Sequence, residues 1–141
     1  MQDYFITSDK SKLDISAVHA FLSRSYWSPG IPISTVERAI SNSLCFSVLL
    51  GAQQIGFARL VTDKATFAYL ADVYVLEEHR GNGLARRMLE LIFLHPDLQS
   101  LRRITLITRD AHGLYAKYGF QTPSKPGQIM EINNPSDVLR Q

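Results

Sequence analysis

The run Arg80-Gly81-Asn82-Gly83-Leu84-Ala85 gathers a guanidinium, two glycines and the opening of an amphipathic helix. Glycine reaches backbone conformations closed to other residues and lets a ligand approach the main chain. The first amides of a helix lack partners within it, and its dipole favours negative charge there. With Arg80, these groups suit a phosphate-bearing ligand, so Arg80, Gly81, Asn82, Gly83, Leu84 and Ala85 are candidate anion contacts. Two commoner phosphate loops do not fit. No Lys-Ser or Lys-Thr follows, as a nucleotide-triphosphate loop needs, and the dinucleotide fingerprint lacks its third glycine. Taken alone, the run is equally a tight strand-to-helix turn.

A second group is acidic and aromatic. Asp72 is the only charge between Phe67 and Leu76, in an otherwise apolar run, so it must be paired, hydrogen-bonded or raised in pKa. Arg59 is the odd charge of the neighbouring run. A two-residue turn at Asp63-Lys64, however, sets Arg59 opposite Ala68 and away from Asp72. Tyr26 and Trp27 stand in the loop 25–32, beside Pro29 and Gly30, and Tyr69 precedes Asp72 on its strand. These amphipathic rings suit a small apolar or cationic amine, although Trp27 could equally plug the edge of a core.

The elements that must hold these groups follow from periodicity. Residues 4–7 form a short strand, and Ile15, Val18, Phe21 and Leu22 have helical spacing over 14–24. Ser34 and Glu37 have capping-box spacing, which predicts a short helix over 35–40. Strand-like runs at 45–50, 54–61 and 66–76 are separated by short turns, making them antiparallel neighbours. A helix over 83–94 carries Leu84, Met88, Leu91 and Ile92 on one face and stops at His95-Pro96. The strand 103–108 comes after this helix and so returns parallel to 66–76. A short helix over 111–117 follows, and 120–122 with 128–132 could supply two last strands. This is an α+β pattern, expected to be one domain over 1–141.

Composition narrows the function classes. The chain has 141 residues, 45% of them hydrophobic, and a net charge of +2. Its basic residues are scattered, which argues against nucleic acid as a partner. The single cysteine, Cys45, lies in an apolar strand and reads as core, excluding an internal disulfide and a cysteine metal cluster. No His, Asp and Glu grouping has metal spacing, so no metal is expected. The N-terminus lacks a signal-peptide pattern, and no apolar run approaches the ~20 residues of a membrane span. The expectation is a cytoplasmic protein without membrane contact; a homodimer stays open.

Two motifs in this context carry a family resemblance. Arg80-Gly81-Asn82-Gly83-Leu84-Ala85 resembles the pyrophosphate loop of the GNAT superfamily of N-acyltransferases: Arg or Gln, two residues, Gly, one residue, then Gly or Ala. Leu114-Tyr115-Ala116-Lys117-Tyr118-Gly119-Phe120 is similar to that family's terminal signature of Tyr, three residues, then Gly-Phe. The resemblance implies a three-layer fold whose mostly antiparallel mixed sheet carries a splayed parallel strand pair at the acyl-CoA site. It implies acetyl-CoA as cosubstrate, a primary amine of a small molecule as acceptor, and direct attack of that amine on the thioester. By the same resemblance, the backbone of Val73, Tyr74 and Val75 pairs with the pantetheine arm, and Arg80 to Ala85 hold the pyrophosphate. Arg86 either reaches a further phosphate or is merely solvated. Tyr115 is the implied general acid; an ordinary phenol, with a pKa of ~10, keeps its proton at neutral pH. Tyr26, Trp27 and Tyr69 line the acceptor site.

The chain also departs from the family pattern. The family's frequent glutamate base is replaced by Phe67, which leaves Asp72 as the charged candidate to orient the amine or relay its proton. The asparagine that often ends the fifth strand is absent, with Thr108 as its substitute. The missing glutamate keeps open a non-catalytic acyl-CoA sensor, and beyond it an interaction domain of the same fold.

Overall fold

Alternating apolar and polar stretches become the five strands of one sheet in the computed structural model, which describes residues 3–134. These are β1 (Tyr4–Thr7), β2 (Leu44–Leu50), β3 (Gln53–Thr62), β4 (Phe67–Val75) and β5 (Arg103–Leu106), side by side in that order. The first three junctions are antiparallel, and β4 pairs with β5 in parallel, as the intervening helix predicted. The helices are α1 (Ile15–Leu22), α2 (Ile33–Ser41), α3 (Leu84–Leu94) and α4 (His112–Ala116).

Two apolar layers flank the sheet. On one face Val18 and Leu22 of α1 and Val36 and Ile40 of α2 pack with Cys45, Phe57 and Tyr74. On the other, Leu84, Met88, Leu89 and Ile92 of α3 pack with Phe46, Val48, Leu60 and Leu70. Neighbours such as Cys45 and Phe46 serve opposite layers because successive strand side chains point to opposite faces. The result is the expected three-layer α+β arrangement. Cys45 is core, and burial pushes its thiol from 9.0 up to about 11.

Four local expectations are corrected. The helix α2 starts at Ile33, with Pro32 at its N-cap and no side-chain cap bond, so Ser34 and Glu37 lie inside it and form no capping box. Proline's fixed φ, here −66°, already suits helix entry. On α3, Leu91 is 41% exposed and Leu89 takes its place in the core. The stretches 120–122 and 128–132 form no strands; Pro123 and Pro126 remove two amide donors, and among the described residues of the tail the chain makes only a tight turn at Pro126–Gln128.

The fourth correction concerns register, and it shapes the site. The β3–β4 connection is not a two-residue turn. Asp63 Oδ1 accepts from the amides of Ala65, Thr66 and Phe67 at 2.9, 2.7 and 3.2 Å, and Oδ2 from Thr66 Oγ1 at 2.6 Å. That carboxylate, held well below its usual pKa by these bonds, winds the chain into a longer loop. Thr62 consequently pairs with Ala68, and Arg59 with Ala71 rather than Ala68. A bulge then follows: Phe57 pairs with Tyr74, so β4 carries an extra residue around Asp72, which adopts φ 55°.

Candidate active site

Pairing between β4 and β5 ends at Leu70 and Leu106, while β4 runs on to Val75. Beyond that point the strands have parted, and the gap opens a cleft of about 680 Å³. Val73, Tyr74 and Val75 line one side of it, and Gly81, Gly83, Leu84, Ala85 and Arg86 line its end. The glycine turn is conformationally demanding, with φ 84° at Gly81 and 70° at Gly83. A Cβ at either glycine would meet nothing within 4 Å, so each serves conformation and open approach rather than packing. The first helical bond of α3 runs from Arg87 N to Gly83 O at 3.0 Å, and no side chain caps the helix. The amides of Leu84, Ala85 and Arg86 thus end at the cleft without intrahelical partners.

Arg80 is part of the same wall, its Nε donating to Val75 O at 2.9 Å. Asn82 is placed differently: its Nδ2 donates to His79 O at 2.9 Å, which closes the turn, and the residue does not line the cleft. Uncapped amides, an open glycine turn and a cationic side chain are the donors a diphosphate needs, and the residues present fit such a group.

A second cavity, of about 510 Å³, lies on the other side of the splay. Tyr26, Trp27, Tyr69, Asp72 and Thr108 all line it. Thr108 therefore sits on this side rather than against the first cleft; its Oγ1 accepts from Ala111 N at 3.0 Å and steadies the entry to α4. Trp27, Val73, Ala111 and Tyr115 line both cavities and mark where they meet.

Tyr115 is 9% exposed, on α4, with its ring edge-on to Phe120 at 5.8 Å. Burial pushes its phenol above the ordinary value, with a smaller contribution from Tyr26, so it holds its proton well past neutrality. Tyr118 packs, stacked on Phe93 at 5.9 Å.

The pair dismissed on register grounds is formed. Arg59 Nε donates to Asp72 Oδ2 at 2.8 Å, with side chains only 18% and 10% exposed. The longer loop shifts Arg59 along β3, and the bulge turns Asp72 towards it. The second oxygen, Oδ1, accepts from Trp27 Nε1 at 2.9 Å. Phe67 stands at the other end of β4, opposite Arg103, and lines neither cavity.

Several lining residues went unread in the sequence. Phe21 lines the cleft, stacked on Tyr74 at 3.9 Å between centroids; its place in the helical period marked it only as core. His79 lines the cleft with Nδ1 3.0 Å from the Tyr4 hydroxyl, and no sequence signal set it apart. Arg109 lies over the Tyr26 ring at 3.8 Å, joining two loops distant in sequence. Among the described residues, no group of three or more His, Cys, Asp or Glu side chains could hold a metal ion. No helix there is long and apolar enough to cross a membrane.

Residues 41–122 match a family model described as an acetyltransferase (GNAT) domain. A protein of Gibberella zeae, named provisionally as an acetyltransferase, is 34% identical over 138 residues, covering 82% of this chain and 77% of its own. A crystal structure from Xanthomonas campestris pv. campestris, assigned provisionally to the same acetyltransferase family, is 47% identical. It superposes with a TM-score of 0.93 over 96% of both chains. A predicted acetyltransferase from Clostridium acetobutylicum, solved with acetyl-CoA, shares the fold at 22% identity and a TM-score of 0.67, over 94% of this chain and 96% of that one.

Proposed function

The chain belongs to the GNAT family of acetyltransferases, and on that premise we propose that it transfers an acetyl group from acetyl-CoA to a primary amine of a small molecule, acting as one domain over 1–141. The observation that carries the reading is the meeting of two cavities at Tyr115, one ending on the uncapped α3 amides and the other walled by aromatic rings. Gly81, Gly83, Leu84 and Ala85 hold the diphosphate of the donor, with Arg80 adding charge and Asn82 shaping the turn. Past the last β4–β5 pair the main chain of Val73, Tyr74 and Val75 has no strand beside it, although Val75 O is taken by Arg80 Nε, and it pairs with the pantetheine arm as a further strand would.

The neutral amine attacks the thioester carbonyl directly. A C–N bond forms, the C–S bond breaks, and the leaving sulfur takes the proton of Tyr115, which solvent then restores. The proton lost by the amine passes to water. The chain contributes proximity, by opening both cavities onto one point, and an acid that stays protonated at neutral pH. Tyr26, Trp27 and Tyr69 wall the acceptor, and Thr108 steadies α4 from that side. With both carboxylate oxygens already bonded, Asp72 belongs to the site by what it positions.

Thiol release from acetyl-CoA, measured across a panel of small primary amines, tests the reading. Turnover with at least one amine, lost in Tyr115→Phe, supports it. Tight acetyl-CoA binding without turnover on any amine favours a sensor instead.

A further inference from the structure

We propose that Trp27 is the specificity-determining wall between the two cavities, and that Asp72 is the positioning residue that holds it there, restricting the acceptor to primary amines borne on an unbranched carbon. This rests on the acetyl-transfer reading above and adds a substrate class to it. The acyl carbon and the amine nitrogen must meet where the cavities meet, at Trp27, Val73, Ala111 and Tyr115. Trp27 is the largest of these, and it comes from the irregular connection between α1 and α2. A loop side chain with no anchor would sample several rotamers and define no wall.

Here the indole is anchored on three sides. Its Nε1–H donates to Asp72 Oδ1 at 2.9 Å, and its ring meets Tyr26 edge-on at 5.1 Å and Phe21 at 6.1 Å. Asp72 is anchored in turn: Oδ2 accepts from Arg59 Nε at 2.8 Å, and Arg59 Nη1 donates to the buried Ser43 Oγ at 3.2 Å. A chain of contacts thus crosses from Ser43, just before β2, through β3 and β4 to the loop. Asp72 holds φ 55°, a conformation unfavourable for a side-chain-bearing residue, at the bulge that aims its carboxylate both ways. Two donors already occupy that carboxylate, which suits an anchor better than a group waiting for a proton. A substituent on the carbon bearing the amine would need the space that the fixed indole fills. One such methyl group is worth ~10-fold or more in discrimination.

Butylamine and sec-butylamine, offered separately with acetyl-CoA, test this by thiol release. The wild-type protein is expected to prefer butylamine in kcat/KM by ~10-fold or more. Trp27→Ala and Asp72→Ala should bring the two amines close to parity, chiefly through a lower KM for sec-butylamine. Asp72→Asn keeps an oxygen for the indole N–H and should restore the preference. If Asp72→Asn and Asp72→Ala instead abolish turnover of both amines alike, with loss of the acid limb of the kcat profile, Asp72 is the proton acceptor and the proposal falls.

Trp27 is the only tryptophan of the chain, so its fluorescence reads the wall without any acceptor. Acetyl-CoA should alter its emission in the wild type. Asp72→Ala should shift the emission to the red and remove that response, and Asp72→Asn should restore both. Emission unchanged in Asp72→Ala overturns the positioning role, whatever the turnover. If the fluorescence behaves as expected but neither these amines nor a broader panel is acetylated, the wall stands and the transfer reading fails. Should Asp72→Ala not fold, Trp27→Ala, which leaves the Arg59–Asp72 pair in place, tests the preference alone.

Discussion

On one side of Tyr115 the molecule presents main chain, and on the other it presents side chains. The cleft proposed for acetyl-CoA ends on the uncapped amides of α3 and a turn with two glycines at positive φ, all within the seven residues 80–86. The cavity proposed for the acceptor is assembled from Tyr26 and Trp27 on one loop, Tyr69 and Asp72 on β4, and Thr108 and Arg109 after β5. A contiguous backbone site carries its geometry in local sequence. A site drawn from three separated segments depends on register, bulges and loop lengths, each of which can move a side chain by several ångströms. Under the proposed reading, the first suits a donor that never changes; the second can be altered one side chain at a time to suit a different acceptor.

The sharpest break in this comparison comes at the residue both sides share. Tyr115→Phe should lower kcat by ~10²-fold or more, the range of a lost general acid, while acetyl-CoA binds as before in calorimetry. A kcat within a few-fold of wild type would remove Tyr115 from proton transfer. Because burial raises its pKa, Tyr115 is protonated at every pH below the ordinary tyrosine range. Activity loss from its ionisation should therefore begin only above pH ~10. A limb near pH 8 that Tyr115→Phe removes would contradict this.

Removing Arg59 tests the acceptor side. Arg59→Met leaves the Asp72 carboxylate, 10% exposed, with only the indole as donor, and should lower unfolding stability in urea by about 2–3 kcal/mol. The mutant should raise KM for the amine more than it weakens acetyl-CoA binding; equal effects would mean that the two sides do not separate. Gly83→Glu tests the backbone side. It brings a carboxylate to the α3 amides and should weaken acetyl-CoA ~10- to 100-fold in calorimetry, with the Trp27–Asp72 contact kept.

The smallest effect is a control outside both cavities. Cys45 is raised from 9.0 to about 11, so its neutral form is favoured in the fold. That contribution is fully present below pH 9 and is lost as pH rises through 11, because the unfolded thiol ionises first. The stability difference between wild type and Cys45→Ala should shrink by about 2 kcal/mol or less between pH 8.5 and 11, read by urea titration. A difference that grows with pH would contradict the burial argument.

How far each region was legible follows from the same contrast. Strand and helix positions followed from periodicity, because burial on one face repeats every two or every 3.6 residues. The glycine turn and Tyr115 were readable because their geometry is local. Arg59 and Asp72 stood out as lone charges in apolar strands, yet their pairing was missed. The Asp63 carboxylate lengthens a loop, and a bulge adds one residue to β4, and neither leaves a periodic mark. Thr108, expected at the end of β5, lies two residues past that strand and lines the second cavity. The strands expected after Phe120 did not form, since apolar side chains around two prolines cannot supply the missing amide donors.

Thermal unfolding of the wild-type protein with increasing acetyl-CoA tests the central claim most directly. At a ligand concentration 100-fold above Kd, mass action stabilises the fold by about 2.7 kcal/mol, a rise in Tm of roughly 8 °C for a chain of this size. The account predicts that rise in the wild type and a much smaller one in Gly83→Glu. A Tm that does not move at millimolar acetyl-CoA, in a cooperatively folded sample, would contradict it.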